Sequence, residues 1–386
     1  MFACQPGSLI RFLGIVLATS VPVEAQQSVM DLRSEAGAIL AQADGERDLI
    51  RLIQLDLTLS DETDAESAAV CREILKTLAM SEDITALEHV RSVFENEPER
   101  RSMAARALAS LALQHPGELQ DWRYMVRSLT VVQGDDAVEI LSALRRFRIR
   151  ANKPEWVRRV ILIGLELPEA QTAALALLQH WTGIPSGNRQ PLRTIADYQD
   201  WFRKEYSDYP APSLPVEPAG ARWTFSGLLQ AVHELETSAE IVQRGRDVFR
   251  KAGCQNCHRH GQTGEVFGPD LTSLGWRRQK KEILTAILFP SHDLHEDYPT
   301  VAVALSSGQV LNGVASRGEG DQLVIMSSSG VRQTIARSDI EAIVSVGVSA
   351  MPSGTLELLN RDEILALMAL LTSVDGIPRP HGDDAF

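Results

Sequence analysis

The sequence predicts a mainly α-helical protein in two parts, a helical array followed by a smaller helical domain that carries a small antiparallel β insertion. Three observations predict it. Apolar residues recur at helical spacing through residues 28–182, broken by short polar turns and with no strand signal among them. Pro210, Pro212, Pro215 and Pro218 then crowd a segment with little ability to fold. Beyond it, from Tyr298 to about Ile335, the apolar period changes to two.

The elements follow in order. Residues 1–25 read as a secretory signal: Arg11 gives a positive start, "FLGIVLATSVPV" is a short apolar stretch, and "VEA" ends on small residues suited to cleavage. The apolar run is short for a membrane span, so no stable span is expected once the signal is removed. An uncleaved anchor is the other reading. If Cys4 leaves with the signal, Cys71, Cys254 and Cys257 remain, and they make no disulfide framework. Cys71 lies in the helical pattern "AAVCREILKTLAM" and reads as a small buried hydrophobe.

Residues 26–209 form the array. Pro98, Pro154 and Pro168 stand near the starts of three of its helices, where a missing N–H is tolerated. Stacked helix pairs fit this pattern and resemble HEAT-type repeats, a compact irregular helical domain being the alternative. Trp201, Phe202 and Tyr206 suit a short helix that docks its aromatics on the array. Residues 210–236 read as an extended Pro-rich linker, 237–376 as the second domain with its insertion at about 298–345, and 377–386 as a tail. Within the second domain, Thr237 and Glu240 have capping-box spacing and Gly253 is a helix stop. A helix over Lys280 to Leu288 ends before Pro290. About four short strands follow, and Asn360 with Glu363 cap a last amphipathic helix.

The 386 residues allow several cores, and the net charge of −13 argues against a nucleic-acid partner. No Gly-x-Ser-x-Gly, phosphate loop, dinucleotide fingerprint or His-Glu-x-x-His occurs, so no catalytic activity of its own is expected. The acidic pair Asp135–Asp136 reads as turn residues.

One motif carries chemistry. "CQNCH", Cys254 to His258, has the Cys-x-x-Cys-His spacing of covalent haem attachment. Two thiols about one turn apart can each add to one vinyl group of the porphyrin, and the next residue aims its imidazole at the iron. A zinc site needs about four ligands, and no second Cys pair or spaced His pair accompanies this one. A redox dithiol should follow a strand in a βαβ setting, whereas here a helix precedes it.

The flanks sharpen the reading. "GRDVFRKAGCQNCHRHG" with "GEVFGPDLTSLGWRR" resembles the first half of mono-haem cytochrome c domains, and "AMPSGTLELLNRDEILALMALLTSV" resembles the second half. A haem motif, "GPDL" and a Met-Pro loop bracketing an inserted sheet are similar to the haem-binding domain of exported planctomycete and verrucomicrobial proteins. The helix-end motif departs from that family, with Phe289 in its acidic place in "FPSHD". The resemblance covers about residues 238–374. It implies an all-α cytochrome c domain with a β insertion and one covalently attached haem c.

It implies residue roles as well. Cys254 and Cys257 would form the thioethers and His258 would be the proximal ligand. The Pro269 carbonyl, next to Gly268, would accept the His258 N–H. Gly245 would let the first and last helices cross, with Phe249 and Leu367 packed there. Leu271, Leu274, Trp276, Ile283 and Ile287 would line the haem. Met351 is the family's sixth ligand; His292 and His295 are rivals, Met368 reads as packing, and Met326 as too distant. Arg244, Arg246, Arg250, Lys251, Arg259, Arg277, Arg278, Lys280 and Lys281 outnumber Asp247, Glu265 and Asp270, and could steer an acidic partner or be scattered solvated charges.

The expected function is an exported, periplasmic electron carrier that exchanges single electrons with a redox protein partner, a dehydrogenase being one such class. Two alternatives stay open: a haem enzyme or gas and redox sensor with an open sixth iron position, and a helical scaffold in which the haem is structural.

Overall fold

The computed structural model describes residues 28–377 apart from 63, 116, 152, 185–193, 295, 296 and 375. The signal segment 1–25, His295 and residues 378–386 of the tail lie outside the described residues. The described chain is mainly helical, with one small antiparallel sheet, as the sequence predicts. No helix among the described residues is long and apolar enough to cross a membrane.

The first part comprises α1 (Val29–Leu40), α2 (Leu49–Leu59), α3 (Ala65–Met80), α4 (Ile84–Asn96), α5 (Arg101–Gln114), α6 (Leu119–Ser128), α7 (Gly134–Leu144), α8 (Pro154–Glu166), α9 (Gln171–Thr182) and α10 (Ile195–Glu205). Starts are set by side-chain caps: Asp48, Asp64, Asp83 and Thr194 each accept from a backbone N–H of the first turn. Pro154 sits at the first position of α8; Pro98 and Pro168 open the short 3-10 turns that lead into α5 and α9.

The odd-numbered helices α1, α3, α5, α7 and α9 pack each on the next, and α2, α4, α6 and α8 lie against them as a second layer. Their apolar stripes share one core running from Leu32 to Phe202. Helix α5 can sit centrally because Ala104, Ala105, Ala107, Ala109 and Ala112 are buried, and small side chains let neighbours approach. Cys71 is buried in this core and its thiol is pushed up to about 12, first by burial, so it behaves as an inert hydrophobe. Asp136 is no mere turn residue: at the start of α7 it accepts from Arg72, Arg106 and Ser102. Phe202 is fully buried against the array, as its aromatic cluster predicts.

The segment 210–236 is not extended throughout. Residues Phe225–His233 form α11, capped by Thr224, and bury Leu228 and Val232 in the second core. Proline content obscures the helical spacing of Leu228, Val232 and Leu235, which supplies the apolar face. Helix α12 (Ala239–Lys251) starts one residue later than expected: Ser238, not Thr237, accepts from the Ile241 amide.

A short α13 (Leu274–Arg277) precedes α14 (Lys280–Leu288), and α15 (Arg361–Thr372) opens with the expected Asn360–Glu363 capping box. Helices α12 and α15 cross closely. A Cβ at Gly245 would lie 2.2 Å from the Ala366 carbonyl oxygen, and Phe249 and Leu367 are buried at this crossing.

The sheet has five strands rather than four: β1 (Thr300–Leu305), β2 (Val310–Arg317), β3 (Gln322–Met326), β4 (Arg332–Ala336) and β5 (Ile340–Ser345), ordered β4-β3-β2-β1-β5 with every pair antiparallel. β5 escapes a period-two reading because it buries no face and is held through its backbone pairing with β1.

One pH effect arises where the two parts meet. His292 is half-buried, and its imidazole is pushed down to about 4, first by burial, then by Arg158 and Arg159, against the opposing charge of Asp293. The unfolded chain takes up this proton near 6.5, so between about pH 6.5 and 4 it binds more protons than the folded chain. Stability therefore falls as pH drops through that window. Thermal midpoints measured from pH 7 to 4 are expected to fall less steeply for His292→Asn than for the parent; parallel profiles would contradict this.

Candidate functional site

Helix α12 stops just before Gly253, whose φ of 75° is a left-handed conformation suited to glycine. Cys254–Asn256 then form one 3-10 turn. The amides of Cys257 and His258 both bond to the Cys254 carbonyl, at 3.2 and 2.9 Å. Two sulfurs and an imidazole thus leave one tight turn, rather than a regular helical turn.

The following loop folds back along this turn. Glu265 N–H bonds to the Gln255 carbonyl, Gly268 N–H to the Cys257 carbonyl, and Leu271 N–H to the Arg259 carbonyl, at 3.0, 2.8 and 2.8 Å. This doubling brings Pro269 beside His258, whose Nδ1 lies 2.9 Å from the Pro269 carbonyl oxygen. A carbonyl can only accept, so Nδ1 carries the proton and Nε2 keeps its lone pair. Among the described residues no hydrogen bond engages that Nε2. Gly268 is required here: a Cβ would come within 2.6 Å of His258 Cε1. Burial lowers the His258 pKa despite the Pro269 bond, which holds the ring neutral and able to donate its lone pair.

Both thiols are free and half-buried. Burial, and then the neighbouring Cys257, push Cys254 up to about 11; burial raises Cys257 too. Cys254, Leu271, Leu274 and Met351 are partly buried against the core formed by α11, α12, α14 and α15, while Ile283 and Ile287 are inside it. Met368 is buried packing, as expected. Trp276 stands apart from that cluster; its indole N–H donates to the Ile377 carbonyl at 3.1 Å.

Met326 is not distant. With Phe267 and Val324 it forms a small apolar cluster that covers Cys257. The turn between β3 and β4 rests on the same segment, with Gly330 against the Asn256 side chain and Arg332 over the Phe267 ring. The insertion is therefore a wall of the site, a role that strand periodicity cannot reveal.

The loop carrying Met351 is tied at both ends. The Ser349 amide donates to Ser291 Oγ and the Met351 amide to Ser349 Oγ, both at 3.1 Å. On the far side, the Arg222 amide donates to the Glu357 carboxylate and Trp223 Nε1 to the Leu359 carbonyl, each at 3.2 Å. These strap residues come from the segment read as linker.

Of the nine cations between residues 244 and 281, four are paired with carboxylates. Arg250 pairs with Asp247, Lys251 with Glu363, Arg259 with Asp270 and Arg278 with Glu282. Arg277 and Lys280 spend donors on backbone carbonyls.

The donor types suit a haem: a neutral imidazole with one free nitrogen, two reduced thiols on one turn and a thioether in a tethered loop, with Cys254 and Met351 packed on the same core. Among the described residues no group of three or more His, Cys, Asp and Glu side chains is placed to hold a metal ion by itself. No known family model matches the chain, and comparison with characterised proteins finds no match.

Proposed function

We propose that this chain is an exported mono-haem c-type cytochrome, in which a HEAT-like array is joined to a cytochrome c domain with a β insertion. Cys254 and Cys257 attach haem c, His258 is the proximal ligand and Met351 the sixth. The observation that carries the reading is the 2.9 Å bond from His258 Nδ1–H to the Pro269 carbonyl, made directly beside the Cys-x-x-Cys motif. Metal-binding histidines commonly make this bond, which fixes the ring and leaves Nε2 available.

Bound haem supplies one-electron chemistry between ferric and ferrous iron. The chain's residues do the rest. His258 holds its proton on Nδ1 and offers Nε2. The Pro269 bond increases the basicity of the ring. Leu271, Leu274 and the core exclude water, and Met351 supplies a thioether that favours the ferrous state. The site is read as periplasmic, with a redox protein, such as a dehydrogenase, as partner.

The test is a spectroscopic redox titration of the exported protein. A one-electron wave is expected, with the weak red charge-transfer band of thioether-ligated ferric haem. Met351→Ala should abolish that band and let carbon monoxide bind the reduced protein; parent protein that already binds carbon monoxide at neutral pH argues for an open sixth position. Trp223→Ala loosens the strap, so partial loss of the band at unchanged haem content is expected, and a band equal to the parent's would show that the strap does not position Met351.

A further inference from the structure

We infer that the helical array is a brace that grips α14 at both ends and thereby holds the wall of the proposed haem site closed, making Arg101 and Arg158 positioning residues. This rests on the proposed haem reading for its consequence, though not for its geometry.

On α13, the short helix that leads into α14, Arg101 of α5 donates to the Trp276 carbonyl at 3.2 Å and also to that of Arg277. Gln279 Nε2 donates to the Pro98 carbonyl at 2.6 Å, the Lys280 amide to Glu99 at 2.8 Å, and Thr130 Oγ1 to Glu282 at 2.9 Å. Beyond the end of α14, Arg158 of α8 donates to the His292 carbonyl at 2.6 Å and to the Pro210 carbonyl at 2.9 Å. Arg159 pairs with Asp293.

Arg101 and Arg158 are 5% and 3% exposed. Burial lowers both guanidinium pKa values to about 10. A buried guanidinium needs several acceptors: Arg101 finds the Phe94 and Trp276 carbonyls, one on each part of the chain, and Arg158 finds those of Pro210, at the start of the linker, and His292. Carbonyls cannot swing away as carboxylate side chains can, so the contact fixes backbone position.

The grip reaches the iron ligands' supports. Ile283 and Ile287 of α14 stand in the core against which Cys254 and Met351 pack. Ser291, next to the gripped His292, holds the Met351 loop through Ser349. Release at either end should let α14 move and admit water, which favours the ferric state.

The test compares the full-length parent with Arg101→Met/Arg158→Met, and with the milder Thr130→Val/Arg159→Gln should the first pair fail to fold. Amide exchange is read in α14 against α12 and α15 of the same sample. Protection in α14 should fall about tenfold or more for the arginine pair and about threefold for the milder pair, with α12 and α15 unchanged. Unchanged α14 protection, or an equal loss in all three helices, overturns the brace. This readout needs no haem, so it decides the brace even if the haem reading fails. In haem-loaded protein the ferrous-to-ferric equilibrium should shift about threefold to tenfold toward ferric, tenfold being about 59 mV for one electron. Selective exchange loss with a shift under about twofold overturns the claim that the array sets the haem site.

Discussion

A His258→Ala chain, exported alongside haem-maturation machinery, is expected to lose the low-spin spectrum and to carry little haem. The imidazole has two jobs that no neighbour can take. Its Nε2 is the nitrogen left free by the Pro269 bond, and its Nδ1–H satisfies the half-buried Pro269 carbonyl. Loss of that bond alone is worth about 1–3 kcal/mol, while on the proposed haem reading loss of the imidazole would also remove the iron ligand. Neighbouring histidines serve as controls. His260 and His292 have imidazoles whose pKa values are also lowered by burial, yet neither stands in this arrangement with Pro269. Their alanine variants should keep the spectrum. Gly268→Ala should act like a weak His258 variant, because the added methyl would meet the ring at 2.6 Å. Pro269→Ala keeps the accepting carbonyl and should be far milder. A His258→Ala protein with unaltered absorbance would refute the assignment.

The second large effect is on stability. Gly245→Ala should destabilise the chain by at least about 2 kcal/mol, even though alanine is the better helix former by about 1 kcal/mol. The reason is the crossing of α12 and α15. The new Cβ would lie 2.2 Å from a backbone oxygen and 2.7 Å from Leu370 Cβ, and a backbone cannot rotate aside as a side chain can. Gly37→Ala, in α1, is the matched control: nothing lies within 4 Å of its Cβ position, so a gain of about 0.5–1 kcal/mol is expected. Urea unfolding followed by circular dichroism compares the two. Equal behaviour would mean that the helices do not approach at Gly245.

Much of this was legible in the residue order, and for a local reason. Helix starts such as Asn360–Glu363, the Lys280 to Leu288 helix and the stop at Gly253 depend on neighbours in sequence. The turn of Cys254 to His258 is equally local, and the Pro269 contact spans few residues. What escaped depends on distance along the chain. The covering of Cys257 by Val324 and Met326 joins segments about seventy residues apart, and no periodicity encodes it. The Arg101 contact to Trp276 spans 175 positions. Arginines in an amphipathic pattern read as solvated, so burial of Arg101 and Arg158 has no sequence signal. Helix α11 is different: Thr224 and the spacing of Leu228, Val232 and Leu235 are local signals, but the preceding prolines mask them.

The central claim is covalent attachment of haem through Cys254 and Cys257. Purified protein from a host able to make c-type cytochromes should be denatured, extracted with acidified acetone and weighed by intact mass spectrometry. The account predicts that the colour stays with the polypeptide, whose mass exceeds the processed chain by one haem, and that Cys254→Ala/Cys257→Ala loses both. Colour that leaves with the solvent, or a colourless chain with no added mass, would contradict it.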